Sequence, residues 1–229
     1  MNQLLLQNIL SVVALSATLL KGGMDVAMPD KNIDGPFFLV NRQHAIHEAY
    51  VPEVRTVNAT GMRQAMRDEA ATALEEMFQA AKADKAGLST VSGYRSYAKQ
   101  ATIYARKHKT AGQEVADSLV ALPGTSEHQL GLAMDLAQKG GSQLSSGFGN
   151  TKAGQWVNAN AYRYGFIVRY QKGQEDVTGY AFEPWHVRYV GKAYAKAIFD
   201  SGLPMESYVS AHRLEIYEFL IQQTSEVRP

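Results

Sequence analysis

No cysteine occurs anywhere in the chain. Disulfides, thiolate metal ligands and a cysteine nucleophile are therefore excluded, and any bound metal must sit on His, Asp or Glu. An anchor through a lipidated cysteine is excluded by the same absence. An excess of one charge is also missing, since 23 Lys and Arg stand against 22 Asp and Glu for a formal net charge of +1. Such a balance offers nucleic acid no electrostatic footprint and a membrane surface no basic face. A long apolar run is lacking too. Ile9 to Leu20, with Leu4 to Leu6 upstream, falls short of the roughly 20 residues of a full membrane span and fits a signal-peptide core better. No Lys or Arg precedes it, and no convincing small-x-small cleavage site comes before Pro29. An export signal or uncleaved anchor over residues 1–27 is the expectation, with a short buried helix as the alternative.

What is present suits one globular domain, at 229 residues and 45% hydrophobic content. A linker is expected over residues 28–36 and the domain over 37–229. Phe37 to Val40 reads as a short strand, and Tyr50 to Glu53 as extended because Pro52 disfavours helix in the residue before it. Apolar residues from Met62 through Met66, Ala70, Leu74, Met77 and Ala81 recur at helical spacing, with Gly87 as the expected left-handed cap. Strands are expected at Leu88 to Ser92, Leu132 to Leu136, Phe166 to Tyr170, from Val177, and at Trp185 to Val190. Helices are expected at Tyr97 to Lys109, Gln113 to Leu122, Gly154 to Tyr164, Gly191 to Phe199 and Met205 to Gln222. Between them, Lys139 to Asn150 is a Gly/Ser-rich loop, which reads equally as a mobile lid or a surface insertion. There is no internal repeat. Irregular alternation of short strands and helices points to an α+β fold, a small antiparallel sheet flanked by helices.

Two fragments carry the chemistry. Ser126-Glu127-His128-Gln129-Leu130-Gly131-Leu132-Ala133-Met134-Asp135 sets a His and an Asp seven positions apart across a Gly turn. Glu183-Pro184-Trp185-His186 adds a second His with a carboxylate three residues before it. Two imidazoles and one carboxylate can hold one zinc ion and leave a fourth position open for water, while the remaining carboxylate, Glu183, acts as general base. Each residue taken singly has a plainer reading. A lone His beside a Gly is usually just hydrogen-bonded, Asp135 can cap a turn, and Glu183-Pro184 can be an exposed corner. His44, His47, His108 and His212 are not expected to bind the catalytic metal, and the Met stripe reads as core.

Ser126-x-His128-x-x-Gly131-x-Ala133-x-Asp135 followed by Glu183-x-Trp185-His186 resembles the VanY-type zinc D-alanyl-D-alanine carboxypeptidases and their L,D-carboxypeptidase relatives. Ser92-Gly93-Tyr94-Arg95-Ser96 with Gln100 is similar to that family's substrate-binding segment, and the resemblance runs from Phe37 to Tyr208. It implies the DD-peptidase/hedgehog-like zinc peptidase fold, one zinc ion on His128, Asp135 and His186, and Glu183 as base and later acid. It also implies Arg95 on the free carboxylate of the substrate, where a guanidinium fork fits bidentately. Gln100 and Ser126 would add hydrogen bonds to the terminal residue, with Trp185 as wall beside His186. The implied substrate is the peptidoglycan stem peptide, losing its C-terminal D-alanine to a D,D-carboxypeptidase outside the cytoplasm in the bacterial cell envelope, and the N-terminal segment is the candidate membrane attachment. The same residues serve an L,D-carboxypeptidase or a cross-link endopeptidase. A non-catalytic zinc-containing wall-binding module is the rival of another class, disfavoured because a structural site has no use for Glu183.

Overall fold

A four-stranded antiparallel sheet with helices packed against it forms the body of the chain. The computed structural model describes Ile33, residues 35–213 and residues 215–216. The signal or anchor expected at 1–27 lies outside the described residues, as do Leu214, Tyr217, Leu220 and Ile221 of the expected C-terminal helix. A ribbon pairs β1 (Arg55–Thr56) with β2 (Ala65–Met66), and α1 (Asp68–Ala83) follows. Next come β3 (Leu88–Ser92), α2 (Tyr97–Ala111), α3 (Gln113–Leu119), β4 (Ala133–Gln138) and α4 (Lys152–Asn160). The chain continues with β5 (Phe166–Tyr170), the single turn α5 (Glu175–Thr178), β6 (Glu183–Tyr189), α6 (Lys192–Ser201) and α7 (Met205–Ala211). The sheet order is β3-β4-β6-β5 with every neighbour antiparallel. This is the α+β architecture expected.

Period-two alternation in β4 divides two environments. Met134 and Leu136 are buried in the main core with Leu74, Met77 and Phe78 of α1, Val187 of β6 and Val157 of α4. Asp135 lies between them in sequence and faces the opposite side. A second cluster joins Phe37 and Leu39 to Ile167, to Ile198 of α6 and to Met205, Tyr208 and Val209 of α7. Helix α7 thus docks through Met205, Tyr208 and Val209.

Several boundaries differ from expectation for identifiable reasons. Phe37 to Val40 forms no strand; Phe37, Leu39 and Val40 are buried and Phe38 half-buried, while Arg188 Nη2 donates to the carbonyls of Pro36 and Phe38. A buried guanidinium thus takes the place of a strand partner. Helix α1 starts at Asp68 and not near Met62, because the backbone before it is already committed. Met62 N donates to Thr90 O, Val57 N to Gln64 O and Arg67 N to Gly131 O. Met62 is consequently exposed, whereas Met66 is buried within β2. The left-handed residue after α1 is Lys85, not Gly87. Gly87 is needed for space instead, since a Cβ there would lie 3.2 Å from the Lys139 side chain. Val177 falls within α5, whose amides bond back to Gln174 and Glu175 in place of a strand neighbour. Among the described residues, no helix is long and apolar enough to cross a membrane.

Candidate metal centre

Three local devices bring the predicted donors together. His128 sits on a 3-10 turn, Glu127–Leu130, closed by Gly131 in the left-handed region. Asp135 is in β4, directly opposite His186 of β6 in the antiparallel register. Register therefore makes this pair neighbours although 51 residues separate them in the chain. Glu183 needs a further device. Residues three apart on a regular strand face opposite sides. The β5–β6 pairing shifts between Val168↔Val187 and Tyr170↔Glu183, and Glu183 and His186 then line one cavity.

His128, Asp135 and His186 each offer a ligand atom, all within 4.8 Å of one another, and all three residues are buried. His128 Nε2 lies 3.2 Å from Asp135 Oδ2, and His186 Nδ1 lies 3.0 Å from Asp135 Oδ1. The two imidazole rings meet edge to face with centroids 5.0 Å apart. Each ring's remaining nitrogen has a partner. His128 Nδ1 is 2.8 Å from Gly93 O, and His186 Nε2 is 3.2 Å from Glu127 Oε2. Two nitrogen donors and one carboxylate, each ring braced on its far side, fit a single zinc ion in both chemistry and bracing. His44 packs on the Asn41 side chain and His212 on Tyr208, both away from this group.

Burial and charge set the protonation of the group. Burial works to raise the Asp135 carboxyl, but the two imidazoles beside it prevail and hold it well below the usual range. Burial lowers His186, and its hydrogen bonds to Asp135 and Glu127 outweigh that and raise it to about 9. Burial lowers His128. Glu183 Oε2 stands 3.9 Å from His186 Nδ1, and desolvation pushes this carboxyl up to about 7 despite the nearby His186. A carboxyl poised there can take and return a proton near neutrality.

The expected substrate residues line the same cavity of about 370 Å³. Arg95 Nη1 donates to Gln100 Oε1 at 2.9 Å and Nη2 to Ser92 Oγ at 3.4 Å, while its buried Nε has no hydrogen-bond partner among the described residues. Gln100 is buried, with its amide nitrogen donating to Ala121 O at 2.6 Å. Both ends of Gln100 are engaged in this way, and it steadies Arg95. Ser126, Trp185, Tyr170 and Leu144 complete the wall, Leu144 coming from the Gly/Ser-rich loop.

Sequence reading passed over Glu127, which is 1% exposed. Its Oε1 accepts from Arg169 Nε at 2.8 Å and from Arg188 Nη1 at 2.7 Å. A signal existed in Arg169, which interrupts the otherwise apolar β5, and in Arg188, which sits between Val187 and Tyr189 of β6. Buried charges require partners, and the Glu beside His128 was available.

The sequence profile of the VanY D-alanyl-D-alanine carboxypeptidase family matches residues 63–192. The chain is 44% identical over 194 residues to the putative carboxypeptidase YodJ of Bacillus subtilis strain 168, covering 81% of this chain and 70% of YodJ. The solved LdcB LD-carboxypeptidase superposes with a TM-score of 0.74 at 44% identity, covering 78% of this chain and 87% of LdcB. A mutant of the vancomycin-resistance D,D-pentapeptidase VanY, solved in complex with Zn(II), gives a TM-score of 0.66 at 37% identity, over 76% and 98% of the two chains.

Proposed function

The chain belongs to the VanY family of D-alanyl-D-alanine carboxypeptidases and is a zinc metallopeptidase of that type, and from that premise we propose that it removes the C-terminal D-alanine of peptidoglycan stem peptides, principally as an L,D-carboxypeptidase on a tetrapeptide stem. The observation that carries the peptidase reading is one cavity holding three metal donors, a carboxyl raised to about 7 and a buried guanidinium whose Nε–H has no partner among the described residues. The L,D choice is favoured by similarity, because LdcB matches at higher identity and TM-score than the D,D-pentapeptidase does. Such a substrate implies work outside the cytoplasmic membrane, with residues 1–27 as export signal or anchor.

His128 Nε2, Asp135 and His186 Nδ1 would hold the zinc ion. When bound there, zinc polarises water and the scissile carbonyl as a Lewis acid. Glu183 takes the proton of the attacking water on its carboxylate and gives it to the amine nitrogen of the departing D-alanine. Arg95, held by Gln100 and Ser92, receives the free carboxylate of the substrate, which selects chain ends over interior bonds. Ser126 and Trp185 shape the wall against the terminal residue.

Incubation with tetrapeptide and pentapeptide stems, followed by mass analysis, tests the reading. Loss of one alanine from the tetrapeptide is expected. Trimming of the pentapeptide alone would reassign the enzyme as D,D-specific, and no release from either by zinc-loaded protein would sink the peptidase reading. Glu183→Gln should retain zinc and lose turnover by roughly 10²–10⁴-fold. Arg95→Ala should abolish most of the preference for free over amidated C-termini, read as a ratio of kcat/KM values.

A further inference from the structure

His128 and His186 address the centre through different ring nitrogens. His128 presents Nε2, and His186 presents Nδ1. A neutral imidazole carries one proton, and only its other nitrogen can ligate a cation. For His128 the choice is fixed by Gly93 O, which can only accept, so the proton sits on Nδ1. His186 faces a carboxylate at both nitrogens, Asp135 Oδ1 at 3.0 Å from Nδ1 and Glu127 Oε2 at 3.2 Å from Nε2; once Asp135 and Nδ1 turn to a metal, Glu127 is left to hold the proton.

We propose that Glu127 is the positioning residue that holds His186 with its proton on Nε2, leaving Nδ1 free for zinc; this rests on the zinc-peptidase reading above. The two carboxylate oxygens divide the work. Oε1 serves Arg169 and Arg188, and Oε2 serves His186. Both guanidiniums are themselves tied down. Arg169 forms a bidentate pair with Glu206 of α7 at 2.9 and 2.5 Å. Arg188 donates to Pro36 O at 2.9 Å and Phe38 O at 3.0 Å. Rotating Glu127 would leave buried guanidinium N–H groups unpaired, so the carboxylate is locked in place as an acceptor. The segment at residues 36–38 and the helix α7 thereby brace a metal ligand that neither touches.

This division of oxygens gives an unusual expectation for Glu127→Gln. The two arginines can only donate, so they claim the amide oxygen at the Oε1 position. The amide nitrogen then faces His186 Nε2, where it can only donate. His186 must accept there, its proton moves to Nδ1, and the ligating lone pair is lost. Glu127→Ala imposes no such direction on the ring.

The test is zinc affinity, by competition with a chromophoric chelator, for the full-length wild type, Glu127→Gln and Glu127→Ala. It is joined by nitrogen-15 histidine spectra of the zinc-loaded wild type. Glu127→Gln should bind zinc about 10- to 100-fold more weakly than wild type, and more weakly than Glu127→Ala. A merely structural role predicts the opposite order, because Gln keeps the buried site filled and Ala empties it. Wild-type affinity in Glu127→Gln, or weaker binding by Glu127→Ala than by Glu127→Gln, overturns the proposal. If either variant fails to fold, the wild-type spectra decide, and a His186 proton found on Nδ1 refutes it. A wild type that binds no zinc would sink the underlying reading instead, a distinct result.

Discussion

Glu183 owes its raised proton affinity to placement, being a carboxyl buried beside Asp135 and only partly offset by His186 and Arg95. Its value of about 7 fixes the sign of a pH effect. Below that value the metal-free group is protonated and cannot accept, so kcat/KM should rise with pH along an acidic limb, which bound zinc draws downward. An acidic limb that persists unchanged in Glu183→Gln, in a pH profile of stem-peptide hydrolysis, would remove Glu183 from the role of base. His186 gives the complementary prediction. Raised from 6.5 to about 9, it is protonated at neutral pH in the metal-free protein. Its stabilising contribution is then complete below 6.5 and lost as pH climbs through about 9. A metal on Nδ1 must displace that proton. Zinc uptake at pH 7 should therefore release about one proton, measurable calorimetrically in buffers of different ionisation enthalpy. His128, Asp135, Glu183 and His186 were legible in the sequence because their types and order, read together, resemble a family pattern. Glu127 was not, since a Glu beside a His means little until Arg169 and Arg188 are seen to enclose it.

The elements that deliver these residues are short turns and strand irregularities. Gly131 closes the His128 turn at φ +70°, and a Cβ there would approach Val54 Cγ1 to 3.0 Å and the Arg67 side chain to 3.2 Å. Gly140 has a similar positive φ with nothing within 4 Å. Gly131→Ala should therefore destabilise by about 1–3 kcal/mol and exceed Gly140→Ala, which carries the backbone strain alone, as chemical denaturation would show. Equal losses would mean that the close approach contributes nothing. Helix α1 was readable from helical spacing and strands β3 and β5 as short runs of strand-forming residues, because both signals are local. The start of α1 was not, because residues 57–67 spend their backbone groups on Thr90 and Gly131, partners remote in sequence. Val177 misled for a similar reason. A β-branched residue suits a strand only where a neighbouring strand is present to pair with it.

At the scale of the molecule, β4 and β6 carry two of the three donors, and the residue 36–38 segment and α7 are bound to the sheet through Arg188 and Arg169. A ligand that joins three buried side chains from a 3-10 turn and two strands should stabilise the whole domain. Zinc at about 100 times its Kd adds about 2.7 kcal/mol, so chelation should lower Tm and restoring zinc should recover it. An unchanged Tm would mean that these side chains bind no metal in the folded protein. Residue identity and contacts close along the chain were enough for the donor types, the lack of any thiolate alternative, the family and most strands. Packing between distant segments settled what was left. The β4–β6 register sets Asp135 opposite His186, the shift in β5–β6 pairing accompanies Glu183 and His186 lining one cavity, and the enclosed Glu127 orients His186. Those outcomes depend on how segments distant in the chain pack and satisfy each other's buried polar groups, and no local pattern encodes that.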